Sequence, residues 1–409
     1  MKSKSKLLYF LSIVGPGLVV MLADSDAGSL ITASQSGAAW GYKLLLLQFI
    51  LIPILYIAQE LAVRLGIYTG KGHGELIRDH YGKKWAWFSV TTLLVTCFGA
   101  IVTEFVGVSG VGNLFGISPY VSVSLATAFL IFVVWTSSYL TVERIAIVLG
   151  LFEVVFFYVA FKSHPSTHVI ASTMLQMPLH NKDYLFLVAG NIGAVIMPFM
   201  IFYQQSAIVD KGLCKDDIKA ARYDTIFGAI LTQLIMAAVL VSVAATIGKS
   251  NPNASLNTVE QISNAITPFL GEGAGKIVFA IGILGASMVA AVVVSLTASW
   301  GVGEVMGFKR SLKDHPKEAP IFYTLYSIFL IIGAVAVVSG KINLVKLSVG
   351  VEVMNAILLP IVLLFLVLLA KNALPEKYKL KGWYLYVAVS ILLITSVFGV
   401  YSGIMGAFS

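Results

Sequence analysis

The sequence predicts an all-α protein that crosses a lipid bilayer repeatedly. Of its 409 residues, 58% are hydrophobic and only 12% are charged, and the mean hydropathy is +0.89. Soluble domains carry about 25% charged residues. Apolar stretches of roughly 20 residues, the length that spans about 30 Å of hydrocarbon, follow one another along the chain. The composition therefore excludes an ordinary soluble globular protein.

Short polar breaks separate these apolar stretches and define the predicted membrane spans. The first and the eighth spans are the longest. We predict eleven spans, at 7–38, 41–65, 85–112, 118–141, 144–162, 184–209, 223–248, 273–306, 319–340, 345–370 and 383–405.

The basic charge of the chain is explained by membrane topology. A formal net charge of +8 could indicate nucleic-acid binding in a soluble protein. Here most of the 28 Lys and Arg residues, Lys71 and Lys309 among them, fall at alternate polar breaks. This distribution follows the positive-inside rule if the N-terminus is cytoplasmic. We therefore expect a monomeric, multi-pass protein of the plasma membrane with a cytoplasmic N-terminus, which contacts lipid and binds no nucleic acid.

The first predicted span contains two carboxylates, Asp24 and Asp26, in the stretch MLADSDAGSL. One interpretation is that these residues form the exit turn of an ordinary helix. The apolar pattern resumes at Leu30, however, which leaves a segment too long for one crossing and too short for two. This length favours a helix that is broken inside the membrane. An ionised Asp at that depth costs at least about 2.5–3.5 kcal/mol, so it is expected to face a partner, water or a cation.

The sixth span contains a second interruption, in NIGAVIMPFMIFYQQ, where Pro198 removes a backbone donor. A kinked structural helix would also explain Pro198. Two interrupted spans that lie five apart and enter from opposite sides are typical of inverted five-helix repeats, whose broken helices meet at the bilayer midplane. We predict a first repeat at 1–162, an extracellular loop at 163–183, an inverted repeat at 184–370, and a cytoplasmic loop with an eleventh helix at 371–409.

Short motifs occur at both breaks and along the other spans. They are GPGLVV from Gly15, DAGS from Asp26, RLGIYTGK from Arg64, EFVGVSGVGNLFGI from Glu104, AVIMPF from Ala194 and LPIVLL from Leu359. Over nearly the whole chain, these motifs resemble the NRAMP family of divalent-metal transporters. The resemblance implies a LeuT-type fold, with broken first and sixth helices in two inverted repeats and an eleventh helix after them.

The resemblance also implies a metal site between the two breaks. Carried over by position, it makes Asp26 the central carboxylate ligand, Met197 a thioether ligand, and Ala23 and Ala194 carbonyl ligands. Ser29 stands where the family has an Asn, and its shorter side chain is expected to reach the metal through water. No cofactor is expected, because the divalent metal ion is the substrate.

Several positions depart from the family pattern. The two histidines that the family carries in the sixth span are Phe199 and Gln204 here, and an aspartate of the third span is Ile101. The ninth predicted span lacks the family's arginine. Because none of these replacements carries a proton near neutral pH, the sequence predicts weak or absent proton coupling. Glu104 in the third span and Asp24 at the first break are expected as accessory acids.

Glu352 adds a carboxylate to the predicted site from the tenth span, at a position where the family tends to have glutamine. Carboxylates and carbonyls suit magnesium, calcium and manganese, whereas a thioether weakly favours softer transition metals. Met197 therefore favours manganese or ferrous iron, although a buried methionine is more often core filling. A magnesium transporter of the same fold is the first alternative.

The carboxylates within the predicted spans also bear on two other classes of function. A transporter of a small organic solute or amino acid has the same fold, but Asp24, Asp26 and Glu352 would repel a substrate carboxylate, which leaves only a cationic amine. An intramembrane aspartyl protease needs two carboxylates that come from different segments, whereas Asp24 and Asp26 share one break. We therefore predict a transporter and no enzyme.

The remaining polar residues of interest are assigned structural roles. Glu153, Glu304 and the Glu143–Arg144 pair are expected at span ends or paired within the bundle. The six histidines are expected in loops, with none available as a ligand inside the membrane: His73, His80, His164, His168, His180 and His315.

Overall fold

Helices are the only regular elements in the part of the chain that the structure describes. The structure is a computed structural model that describes residues 13–250, 256–340 and 344–407, so residues 7–12 of the predicted first span lie outside it. Within these ranges, ten stretches are long and apolar enough to cross a membrane. One of them, Ala27–Thr69, has 43 residues, or about 65 Å of helix, which is twice the thickness of the bilayer core. It holds the second half of the first predicted span and the second span, so the ten stretches account for eleven crossings.

The first half of the chain contains nine helices within the described residues. The first span consists of α1 and α2, and the fifth consists of α7 and α8, which are joined by a 3₁₀ turn at Leu151–Val154. The helices are α1 Pro16–Leu22, α2 Ala27–Trp40, α3 Leu45–Thr69, α4 His73–Tyr81, α5 Lys83–Leu114, α6 Pro119–Thr136, α7 Tyr139–Gly150, α8 Val155–Lys162 and α9 Thr167–Thr173.

The second half continues with eight helices in the described ranges, and its sixth span is again divided in two, into α10 and α11. The helices are α10 Lys182–Val195, α11 Pro198–Lys211, α12 Ile218–Ser250, α13 Val259–Ile266, α14 Glu272–Met306, α15 Pro320–Ser339, α16 Leu344–Asn372 and α17 Trp383–Ala407.

The predicted span boundaries are wrong by four or five residues at three places. The second span, predicted at 41–65, is the helix Leu45–Thr69. The fourth span ends at Thr136, and the fifth begins at Tyr139. Ser137 between them has extended backbone, with φ −112° and ψ 155°. The residues around it are polar but uncharged, and the charged Glu143–Arg144 pair further along determined the predicted boundary. The seventh span begins at Ile218 rather than at 223, because the polar residues before 223 continue the same helix.

Both predicted breaks are present. Helix α1 ends at Leu22 and α2 begins at Ala27, so the interpretation of this segment as an exit turn is wrong. Asp26 is the N-cap residue of α2, and its carboxylate accepts a hydrogen bond from the Ser29 N–H at 2.7 Å. In the sixth span, Met197 is extended at φ −83° and ψ 138°, and Pro198 is the first residue of α11. Proline fits there because the first helical residue has no intrahelical use for an N–H.

The broken spans are buried among other helices. Helix α10 packs on α16 and α17, and α12 packs on α1, α2 and α3. A Cβ atom at Gly193 would overlap the carbonyl oxygen of Glu352. The glycine therefore lets α10 approach α16 closely, and this contact brings Glu352 beside the break of the sixth span.

Polar contacts hold the start of α1 in place. The carboxylate of Asp224 on α12 accepts hydrogen bonds from the N–H groups of Gly15, Gly17 and Leu18 at 3.1, 2.8 and 3.1 Å. These are donors that the first turn of a helix leaves unpaired. Lys211 Nζ lies 2.9 Å from the Val14 carbonyl oxygen, and the same ammonium pairs with Glu143 at 2.8 Å. The partner of Glu143 within the bundle is thus Lys211.

The expectation that all six histidines lie in loops is also wrong. His73 and His80 are in α4, and His168 is in α9. His73 is fully buried, and its Nδ1 donates to Gln205 Oε1 at 3.0 Å. Burial lowers the pKa of His73 to about 4, because the imidazolium loses its hydration. His73 is therefore neutral at neutral pH.

We expect the substitution Asp224→Ala to destabilise the protein. Three buried N–H groups would lose their acceptor, and each unsatisfied donor costs about 1–3 kcal/mol. The free energy of unfolding should fall by about 3 kcal/mol or more, which a thermal melt of the detergent-solubilised protein would detect. Asp216→Ala is the matched control because Asp216 is exposed. Equal melting temperatures for the two variants would contradict this role of Asp224.

Candidate metal-transport site

The two breaks are joined by a hydrogen bond. Ser29 Oγ, in the first turn of α2, donates to the carbonyl oxygen of Ala194 at 3.0 Å, and both residues are buried. A second link lies further along the same two helices, where Asn191 Nδ2 donates to Ser36 Oγ at 2.8 Å. The ends of α2 and α10 therefore meet inside the bundle, as the two interruptions predict.

Asp26 has one carboxylate oxygen engaged and one without a partner. Oδ1 accepts the Ser29 N–H at 2.7 Å, whereas Oδ2 is buried without a hydrogen-bond partner. The side chain is fully buried at the N-terminus of α2, where the helix dipole stabilises a negative charge. The cap thus fixes the carboxylate and leaves Oδ2 available to a ligand.

Glu352 shows the same division of its oxygens. Oε2 accepts a hydrogen bond from Asn355 Nδ2 at 3.0 Å, and Oε1 is buried without a partner. A Cβ atom at Gly28 would overlap Glu352 Oε1 and would lie 3.4 Å from Asp26 Oδ1. The two carboxylates therefore approach the same space beside Gly28, which is the glycine of the DAGS motif.

Asn355 is a site residue that the sequence analysis missed. It is fully buried one helical turn after Glu352, and its own Oδ1 has no partner. The spacing of three residues between Glu352 and Asn355 could have indicated this role, because side chains at i and i+3 lie on the same face of a helix.

Glu104 supports the first break from α5. Oε2 accepts the Ala27 N–H at 3.2 Å, and Oε1 lies 3.3 Å from Thr103 Oγ1. The carboxylate therefore takes up an unpaired donor of the first turn of α2. Both Glu104 oxygens have hydrogen-bond partners. The contacts of Glu104 therefore position Asp26, and neither of its oxygens is left unpaired beside Gly28.

The other predicted ligands lie at the breaks themselves. Ala23 is the C-cap residue of α1, where helical carbonyls lose their intrahelical partners. Met197 is fully buried at the start of α11. Ala194 is in the last turn of α10, and its carbonyl oxygen already accepts the Ser29 hydroxyl. Ser29 thus bridges the two breaks, in contrast to the water-mediated contact with metal that the sequence suggested.

Glu153 is the second residue that the sequence analysis missed. It is fully buried in the 3₁₀ turn of the fifth span, and Oε2 accepts the hydroxyl of Ser25 in the first break. Of the two positions expected for it, a span end or a pairing within the bundle, the second is the observed one. Glu304 is also paired within the bundle, where it accepts the Gly74 N–H at 2.8 Å and the Ser206 hydroxyl at 2.6 Å.

Among the described residues, no three His, Cys, Asp or Glu side chains converge to hold a metal ion by themselves. A metal between the breaks would therefore need the backbone carbonyls and the Met197 thioether in addition to Asp26 and Glu352. Such a mixed, partly backbone ligand set is possible only because the two spans are unwound at this depth.

The residues at the positions that depart from the family pattern are uncharged, and the contacts given for them are with apolar or uncharged groups. Phe199 and Ile101 are fully buried, and a Cβ atom at Gly333 of α15 would overlap Ile101. The third and ninth spans therefore meet here through apolar packing. Gln204 Nε2 donates to Thr225 Oγ1 at 3.4 Å.

Solved structures share the fold of this chain. The chain resembles the Eremococcus coleocola manganese transporter in complex with an aromatic bis-isothiourea substituted compound, with a TM-score of 0.76 and 18% identity, over 99% of this chain and 89% of that one. It also resembles MhsT in complex with L-phenylalanine, with a TM-score of 0.65 and 14% identity, over 95% and 98% of the two chains. These likenesses confirm the predicted LeuT-type architecture.

Sequence relatives point to one family. A divalent metal cation transporter MntH of Klebsiella pneumoniae (strain 342) is 28% identical over 308 residues, which cover 73% of each chain. An MntH of Yersinia enterocolitica is 29% identical over 312 residues, which cover 73% of this chain and 74% of the relative. The family model described as natural resistance-associated macrophage protein-like (Nramp) matches residues 17–405. The chain therefore belongs to the Nramp family.

Proposed function

We propose that the protein is a secondary transporter that carries divalent metal cations, manganese or ferrous iron in preference to others, by alternating access and with weak or absent proton coupling. The observation that carries this proposal is the pair of unpartnered carboxylate oxygens, Asp26 Oδ2 and Glu352 Oε1, which belong to side chains that meet beside Gly28. Relatives named as divalent metal cation transporters support it.

The negative charge of the site favours a cation as the transported substrate. Neither Asp26 nor Glu352 forms an ion pair within the described residues. An ionised carboxylate at membrane depth costs at least about 2.5–3.5 kcal/mol, and a bound dication offsets that cost for both groups at once. A substrate that carries a carboxylate would add a third negative charge to the same space, which disfavours an amino acid.

The ligand types favour manganese or ferrous iron over magnesium. Asp26, Glu352 and the carbonyls of Ala23 and Ala194 supply hard oxygen donors, which all of these ions accept. Met197 at the second break adds sulfur, a donor that suits transition metals and is not used by magnesium. Ser29 adds little to either ion, because its hydroxyl is engaged by Ala194.

The contacts of α1 suggest how access alternates. Asp224 and Lys211 hold the beginning of α1 against α12 and α11. A path from the site to the side of the membrane at which α1 begins requires these contacts to break. We propose that this side is the cytoplasm, in agreement with the distribution of Lys and Arg, and that the protein lies in the plasma membrane as a monomer.

The internal symmetry belongs to the same proposal. Residues 1–162 and 184–370 form the two inverted repeats, residues 163–183 form an extracellular loop, and residues 371–409 add the cytoplasmic loop and the eleventh helix. The support is that the two breaks are similar. In the first break Asp26 is the N-cap of the second half-helix, and in the sixth span Pro198 is the first residue of the second half-helix.

We expect Asp26→Ala to abolish manganese binding and uptake while the protein stays folded. The change removes the central carboxylate, and because changes to groups that merely support a metal ligand already cost about 10–100-fold in affinity, the loss should exceed about 100-fold. Isothermal titration with Mn²⁺ and uptake into proteoliposomes measure it. Ser29→Ala is the control, because it loses one hydrogen bond worth about 1 kcal/mol and should weaken binding by less than about tenfold. Near-normal uptake by Asp26→Ala would refute the proposed site.

Met197→Ala should change selectivity. If the thioether binds the ion, the affinity for Mn²⁺ and Cd²⁺ should fall much more than the affinity for Mg²⁺ and Ca²⁺, because only the softer ions gain from sulfur. Competition of the four ions in one uptake assay provides the comparison. Equal losses for all four would make Met197 a packing residue, and magnesium would become the better assignment.

Manganese entry should be accompanied by little or no proton entry. Phe199, Gln204 and Ile101 cannot exchange protons near neutral pH, and His73 stays neutral there because its pKa is about 4. A pH-sensitive dye inside proteoliposomes, read while Mn²⁺ enters, measures the coupling. Internal acidification that follows Mn²⁺ entry and disappears in Glu352→Gln would show instead that the tenth span carries protons.

A further inference from the structure

The first break contains a second group of buried oxygens, contributed by Asp24, Ser25, Glu153 and Thr232, which we call the Glu153 cluster. The Ser25 hydroxyl donates to Glu153 Oε2, and the Thr232 hydroxyl donates to Asp24 Oδ2 at 3.4 Å. The cluster therefore connects the first, fifth and seventh spans. It includes Asp24, which the sequence predicted as an accessory acid, but none of the residues predicted as metal ligands.

The two carboxylates of the Glu153 cluster are incompletely satisfied. Asp24 is 1% exposed and Glu153 is fully buried, yet Asp24 Oδ1 and Glu153 Oε1 have no hydrogen-bond partner. Asp24 lies within electrostatic range of Asp26, Glu352 and Glu153, and Glu153 lies within that range of Asp26. Neither Asp24 nor Glu153 forms an ion pair in the described part of the chain. Their charge is therefore uncompensated by the protein.

The backbone places Glu153 at the cluster by an irregularity of the fifth span. The helix tightens into the 3₁₀ turn Leu151–Val154 between α7 and α8, a feature that often marks a functional site when it occurs within a longer helix. A Cβ atom at Gly150 would lie 2.6 Å from Leu22 Cβ. The glycine thus lets the fifth span approach the end of α1, and the turn directs Glu153 to Ser25.

We propose that the Glu153 cluster is a binding site for Na⁺, separate from the divalent-metal site. Its side-chain donors are two carboxylates and two hydroxyls, a set of oxygens with neither sulfur nor imidazole, which suits a hard cation and disfavours a softer transition metal. A positive charge there compensates Asp24 and Glu153, neither of which has an ion-pair partner among the described residues.

Two physical arguments select a monovalent ion. The cluster and the metal site share the four-residue break at 23–26, so their cations are close, and two dications repel each other twice as strongly as a dication and a monocation. The cost of removing an ion from water also rises steeply with its charge, and magnesium in particular gives up its waters reluctantly. Because Na⁺ carries a single charge, a neighbouring dication repels it less than it repels a second dication, and its removal from water costs less.

A sodium site at the break would allow the sodium gradient to act on the transport cycle. Asp24 and Ser25 bind the second ion, while Ala23 and Asp26 of the same break serve the metal. Occupancy of either site therefore constrains the backbone of the other, and any effect of Na⁺ on metal affinity must be matched by an equal effect of the metal on Na⁺ affinity.

The test is binding of ²²Na⁺ to the purified full-length protein in detergent, in choline chloride buffer without divalent metal. We expect saturable binding to the wild type and an affinity at least about tenfold lower in Glu153→Gln and in Asp24→Asn, with a smaller loss in Ser25→Ala. The matched control is Glu304→Gln, because Glu304 is a buried carboxylate with partners of its own, and it should bind ²²Na⁺ as the wild type does.

A second measurement separates loss of the site from misfolding. The melting temperature of the wild type should rise when NaCl replaces choline chloride, because an ion that binds only the folded state stabilises it. Glu153→Gln should elute as a single species in size-exclusion chromatography and should melt at the same temperature in both salts. A sodium-dependent rise that persists in Glu153→Gln would place the sodium elsewhere and overturn the proposal.

Two further outcomes would overturn it. Absence of saturable ²²Na⁺ binding in the wild type would leave the cluster without a sodium ligand. Displacement of ²²Na⁺ by micromolar Mn²⁺ in Asp26→Ala would make the cluster a second divalent-metal site. Failure of the transport proposal gives a different result, because absence of Mn²⁺ uptake by the wild type would leave the ²²Na⁺ measurement unaffected.

Discussion

Backbone that leaves the helical conformation inside a membrane must find hydrogen-bond partners within the protein, because lipid supplies none. Both broken spans meet this constraint through local side chains. Asp26 and Glu104 accept N–H groups at the start of α2, and Pro198 removes a donor at the start of α11. Ser29 then joins the two breaks through the Ala194 carbonyl. These few contacts account for the positions of Asp26, Ser29 and Ala194 at the breaks.

The buried carboxylates fall into two groups that differ in how their charge is compensated. Toward the ends of the spans, Glu143 pairs with Lys211, Glu60 pairs with Arg64, and Asp224 accepts three N–H groups. Glu143 Oε2 has no hydrogen-bond partner, but the charge of this carboxylate is compensated by Lys211. Near the breaks, by contrast, Asp26, Glu352, Asp24 and Glu153 each keep one oxygen without a partner and form no ion pair within the described residues. Unsatisfied buried charge is expensive, so its concentration at the breaks is physically reasonable only where cations bind.

Much of the fold could be predicted from the sequence, because the signals are local. Hydropathy located the spans, and the polar residues and proline inside two of them located the breaks. The position of Asp26 at the first break also followed from the chain itself. The turn at Ser137 was missed because Thr136, Ser137 and Ser138 are polar but uncharged, so the charged Glu143–Arg144 pair further along determined where the boundary was predicted.

The contacts between distant segments could not be predicted in this way. Ser25 and Glu153 are 128 residues apart, and nothing in either stretch indicates the other. The meeting of Glu352 with Gly28 depends on how α16 packs, and the packing in turn depends on Gly193. The contact of Ser29 with metal through water was expected from the resemblance and from its short side chain, whereas its observed partner Ala194 lies 165 residues away. Long-range packing decides which of several plausible roles each polar residue takes.

The difference between the two groups of carboxylates also indicates which contacts break during transport and which contacts stay intact. The contacts that hold α1 to Asp224 and Lys211 are satisfied hydrogen bonds and an ion pair near the start of the span, so they can exchange protein partners for water when that end opens. The Ser29–Ala194 link lies at the breaks, where no water would replace a lost partner while the site is closed. Breaking it there leaves a buried carbonyl and a buried hydroxyl unpaired, at a cost of about 1–3 kcal/mol for each. This difference favours movement at the anchored end of α1 while the breaks stay together around the ion.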